Sequence, residues 1–89
     1  MTRRENRIRD LLTAAFAPDE LDVIDDSARH AGHAGARPEG ETHFNVRIVA
    51  SVFEGMSRVQ RQRAINNALA EEFEQGLHAL SIKADAPPR

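Results

Sequence analysis

The stretch HFNVRIVA, residues 43–50, sets Phe44, Val46, Ile48 and Ala50 against His43, Asn45, Arg47 and Val49. Apolar residues at every second position mark a strand with one buried face. The rest of the chain must therefore supply neighbours for that strand and a layer to cover it. His43 points away from Phe44, where it has no obvious companion.

Forward of the strand, Gly55 breaks the extended run, and Ser57 with Gln60 makes a capping box. The pattern predicts a helix from residue 57 to about 75, with Ile65, Ala68, Leu69 and Phe73 as its apolar stripe. Gly76 stands where a left-handed residue closes a helix. Leu77 to Ala84 reads as a short strand beginning at His78, followed by the tail DAPPR.

Backward, HAGHAGARPEGETHF, residues 30–44, gathers three of the four histidines among Ala, Gly and Pro. Residues 28–41 show no periodicity, and loops longer than about 12 residues are usually functional or disordered. Leu21 to Ser27, with Leu21, Val23 and Ile24 among aspartates, reads as a short edge strand. Residues 3–16 place Ile8, Leu11, Leu12, Ala15 and Phe16 on one helical face, with a Thr2/Glu5 capping box before them and Pro18 after.

The order helix, strand, strand, helix, strand predicts an α+β domain with helices on one face of a three-stranded mixed sheet. Two strands joined directly are most simply antiparallel, so the 28–41 loop hangs at the edge where the second strand begins. A right-handed crossover through the second helix makes the third strand parallel to the second and starts it at that same edge. Chain connectivity thus delivers His78 to the loop that carries His30 and His33.

Composition narrows the chemistry. At 89 residues the chain has room for one domain. With no cysteine it has no disulfide, no thiol nucleophile and no thiolate for an iron–sulfur cluster or zinc, so metal chemistry falls to histidine, carboxylates or a partner's sulfur. A net charge of −2 argues against a surface built wholly for nucleic acid. No apolar run approaches the ~20 residues of a membrane span, and MTRRENRIRD has no apolar signal core, so a cytoplasmic location is expected.

His30 and His33, with His78 nearby, could present two or three imidazoles to a metal, against the plainer reading of solvated loop and strand-end polar residues. Asp25 and Asp26 are adjacent strand residues facing opposite ways, which suits a turn better than a catalytic dyad. Arg58 and Arg61 lie about 60° apart on the second helix, whereas Arg63 is about 160° from Arg61, so only two share a face. The chain has no GxxG loop and neither Trp nor Tyr for base stacking. No nucleophile elbow, P-loop or dinucleotide fingerprint is present, and no enzyme is expected.

The pieces DDSARHAGHAG, GETHFNVRIV, FEGMSRVQRQRAINNAL and GLHALSIKA closely resemble the BolA family over about residues 5–84. The resemblance implies a class II KH-like fold without the GxxG loop; the domain is expected over residues 1–85, with a disordered tail at 86–89. The resemblance also implies a non-enzymatic role in iron homeostasis or cluster trafficking, in a heterodimer with a monothiol glutaredoxin around a bridging [2Fe–2S] cluster. His78 would be the general ligand on this side and His30 the loop ligand, with His33 as its alternate. The glutaredoxin and its glutathione would supply sulfur. Such mixed ligation raises a cluster's potential relative to all-thiolate sites. The free protein is expected to be a monomer or weak homodimer. A second role proposed for the family, transcriptional regulation through DNA, would draw on Arg58, Arg61 and Arg63. Gln62 stands where a histidine is usual in the family, which weakens any role for that helix surface.

Overall fold

The computed structural model describes residues 3–25 and 43–88. The alternating stretch forms β2 (His43–Val49), the central strand of a sheet in the order β1-β2-β3. β1 (Glu20–Asp25) pairs with it antiparallel and β3 (Ala79–Asp85) pairs with it parallel, as connectivity required. Phe44, Val46 and Ile48 are buried on one face, while Asp22, Ile24, Arg47, Ser81 and Lys83 stand exposed on the other. The α+β class with helices on one side of a mixed sheet is what the chain adopts.

α1 (Arg3–Phe16) carries Ile8 and Leu12 into the core, each fully buried, with Leu11 and Phe16 packed against it. Ala15, expected on the same face, is exposed. The last turn is instead anchored by Phe16, whose ring centroid lies 5.1 Å from that of Phe53. Ala17 follows at φ 46° and donates its N–H to Thr13 O, the left-handed closure that precedes Pro18. Thr2, the expected cap of this helix, lies outside the described residues, as do Asp26 and Ser27 at the expected end of β1.

Between β2 and the next helix, Ser51–Phe53 forms a 3₁₀ turn that the sequence pattern did not announce, and it buries Phe53 completely. α2 (Arg58–Ala68) begins at the expected capping box: Gln60 N donates to Ser57 Oγ at 3.1 Å and Ser57 N donates to Gln60 Oε1 at 2.8 Å. The single helix expected to residue 75 is divided. Leu69, at φ −106° and ψ 15°, separates α2 from α3 (Ala70–Glu74). Glu72 N donates back to Leu69 O at 2.9 Å, a three-residue turn that stacks i over i+3. That local tightening turns both Leu69 and Glu72 inward, Leu69 into the core and Glu72 onto α1.

Residues 86–88 follow β3 without regular structure, with Ala86 and Pro87 half-buried. Among the described residues no helix is long and apolar enough to cross a membrane.

Candidate functional site

His78 is placed by the way α3 ends. Gly76, at φ 120°, allows Leu77 N to donate to Glu72 O at 2.9 Å and Gly76 N to donate to Phe73 O at 3.4 Å. This is the paired closure in which a glycine at positive φ satisfies the helix's last carbonyls. Leu77 then enters the core, and Ala79 begins β3 opposite His43. The chain is therefore held on both sides of His78 while the side chain itself is exposed.

Replacing Gly76 by alanine forces a Cβ into this backbone conformation, at a cost on the order of 1–3 kcal/mol. Thermal unfolding of Gly76→Ala is expected about 5–15 °C lower than the parent. An unchanged midpoint would show that the closure contributes little.

The register brings a second imidazole to the same edge. His43 opens β2 and pairs through its Cα with Ala79, so His78, one residue earlier, is its diagonal neighbour. The two rings lie 6.1 Å apart between centroids and are inclined at 48°. The sequence reading assigned His43 no companion, and that is corrected here. The signal was present in the paired starts HFNV and HALS of two parallel strands, but it becomes visible only once their register is known.

His30 and His33 lie outside the described residues, while the positions from which their segment departs and returns are fixed. Asp25 pairs with Phe44 at the end of β1, and His43 with Ala79 at the start of β2. Both anchor points are at the edge that carries His78. His78, His43 and the attachment of the histidine-bearing segment thus share one end of the sheet.

The structure brings two of the three arginines of α2 to one cleft. Arg61 donates through Nε to Met56 O at 3.1 Å and through Nη1 to Ala84 O at 2.9 Å, and it approaches Asp85. It ties α2 to the end of β3 through these two donors. Arg58 is exposed and lines a cleft with Arg61, Gln62 and Lys83, to which Asp85 adds an acidic group. Arg63 is exposed and does not line that cleft.

Sequence reasoning also missed Glu72, which is 3% exposed and gripped by Arg4 and Arg7 from α1. Its neighbours in sequence, Glu71 and Glu74, are exposed, so position in a charged run carried no sign of burial.

A family model described as BolA-like protein matches residues 12–89. The chain is 49% identical over 86 residues to Protein BOLA1, chloroplastic, of Arabidopsis thaliana, covering 94% of this chain and 54% of that protein. It is 40% identical over 88 residues to the UV-induced protein uvi31 of Schizosaccharomyces pombe, covering 96% and 86% respectively. Among solved structures, the BolA domain of SufE1 from Arabidopsis thaliana superimposes with a TM-score of 0.88 at 48% identity, covering 98% of this chain and 95% of that one. The chain spans about half of BOLA1 and only 24% of the full-length SufE-like protein 1 from the same plant.

Proposed function

The chain belongs to the BolA-like protein family, and from that premise we propose that it is a non-enzymatic adaptor that pairs with a monothiol glutaredoxin and shares its [2Fe–2S] cluster. His78 is the principal ligand in this reading, with His30 or His33 as the second.

One observation carries the proposal: an exposed histidine, clamped on both sides by backbone packing, sits where the histidine-bearing segment is anchored. The donor set fits. The chain offers imidazole and has no cysteine, so sulfur must come from the partner, as a glutaredoxin with glutathione would provide. Imidazole nitrogen is a suitable ligand for iron, and His ligation at one iron of such a cluster raises its potential. The role of this chain is then positional. The β2–β3 ladder and the Leu77 anchor hold His78 at an accessible edge, and Asp25 and His43, from which the segment of residues 26–42 departs and returns, lie at that same edge.

The test mixes the protein with cluster-loaded monothiol glutaredoxin and records visible circular dichroism together with EPR of the reduced sample. New bands with Rieske-like anisotropy are expected, and His78→Ala is expected to abolish them. Spectra identical to those of glutaredoxin alone, or unaltered by His78→Ala, would overturn the assignment.

A further inference from the structure

His43 and His78 are brought together by this chain's own backbone, with no partner involved. The parallel ladder that begins at His43↔Ala79 runs through seven paired positions to Val49↔Asp85. Leu77, on the other side of His78, is only 3% exposed. His43 opens the ladder, and His78 stands one residue before it, between the buried Leu77 and Ala79, so both Cα positions lie at the end of a regular element. Sites built on such elements hold their geometry better than sites built on loops.

The spacing of the rings suits a shared ion. A transition metal about 2.0–2.1 Å from one nitrogen of each imidazole lies roughly 3.2 Å from each ring centroid. Two rings at a tetrahedral angle then have centroids about 5 Å apart, and a wider angle brings this to about 6 Å. The separation of 6.1 Å falls at the upper end of that range, so a modest rotation about χ1 or χ2 closes the pair on one ion. Each ring has two nitrogens, so one can bind a metal while the other serves a hydrogen bond that orients the ring.

The donor chemistry also narrows the ion. Among the described residues no group of three or more His, Cys, Asp or Glu is arranged for a metal, so what the pair itself offers is two nitrogen donors. Magnesium and calcium require oxygen ligands and are poorly served by such a pair. Zinc, copper and nickel accept imidazole readily.

We propose that His43 and His78 form a two-imidazole site for a divalent first-row transition metal, occupied by this protein on its own. The inference uses His78 but neither a glutaredoxin nor a cluster, so it stands apart from the function proposed above. Where both hold, an ion seated here withholds His78 from a partner's cluster.

The experiment uses the full chain carrying His30→Asn and His33→Asn, which removes the competing loop imidazoles, and titrates it with zinc chloride by calorimetry without glutaredoxin. One zinc ion per chain is expected, and adding His43→Asn or His78→Asn is expected to weaken binding at least about tenfold. Amide spectra of each variant report whether the fold is kept. As a measurement needing neither of those two substitutions, copper(II) added to the loop-substituted protein is expected to broaden the amide signals of residues 43–45 and 78–80 first. Absence of zinc uptake in the loop-substituted chain, undiminished affinity in a folded His43→Asn variant, or broadening centred elsewhere would overturn the proposal. Because no cluster is present, none of these outcomes bears on the glutaredoxin reading, which the mixed-complex spectra decide separately.

Discussion

Glu72→Ala is expected to destabilise the protein by about 2–4 kcal/mol, lowering the thermal midpoint by roughly 10–25 °C. The carboxylate is 3% exposed and accepts from Arg4 Nε at 3.2 Å and from Arg7 Nε at 3.0 Å, while Arg4 Nη2 also donates to Gln75 O at 2.8 Å. The cluster joins the first two turns of α1 to the end of α3, elements more than sixty positions apart in the chain. Removing the carboxylate takes from Arg4, itself 11% exposed, the buried anion that its Nε bonds, and losing that buried charge pairing supplies most of the cost. Arg7 is 38% exposed and can turn toward water, which keeps the effect below that of a fully enclosed triad. Arg7→Ala alone is expected to cost about 1 kcal/mol or less, because Glu72 retains Arg4. Chemical denaturation of the two variants checks the order. A Glu72→Ala variant within about 0.5 kcal/mol of the parent would mean that the triad contributes nothing net.

The second large effect is expected at Phe53. Its ring is fully buried on the 3₁₀ turn between β2 and α2 and packs against Phe16 at the end of α1. Truncation to alanine removes that buried surface and leaves a cavity where sheet, turn and helix meet, at about 3–5 kcal/mol. Total stabilities of small domains are about 5–15 kcal/mol, so a substantial unfolded fraction at 37 °C is expected for Phe53→Ala. Phe53→Leu keeps most of the volume and is expected to recover more than half of the loss. A double-mutant cycle with Phe16→Ala should return a coupling of about 0.5–1.5 kcal/mol, the value typical of an aromatic pair. A coupling near zero would assign the cost to volume alone. Both variants test the frame that presents His78 rather than its imidazole.

Much of this frame was legible along the chain. Period-two alternation identified β2, the i, i+3, i+4 spacing identified α1, and the Ser57/Gln60 box placed the start of α2 at the right residue. These signals are local: each depends on residues within one or two turns, and backbone geometry translates them directly into structure. Gly76 belongs with them, because only a residue without a Cβ takes φ 120° freely. The crossover then made the third strand parallel to the second and carried His78 to its edge without any knowledge of contacts.

What escaped was what depends on register and burial. The division of the second helix at Leu69 follows from the need to turn Leu69 and Glu72 inward together, and only the packed neighbours impose that need. Glu72 itself looked like one carboxylate in a polar run until α1 laid two arginines over it. Arg61 looked available for phosphate and is instead bonded to Met56 and Ala84 carbonyls, because the end of β3 lies beneath it. The sequence by itself determined the fold class, the relative directions of the strands and the end of the sheet at which His78 emerges, since periodicity, capping and chain connectivity act locally or topologically. Tertiary structure alone decided that His43 is the neighbour of His78, because residues 35 positions apart meet only when two strands settle into one register, and register is set by the packing of a whole face.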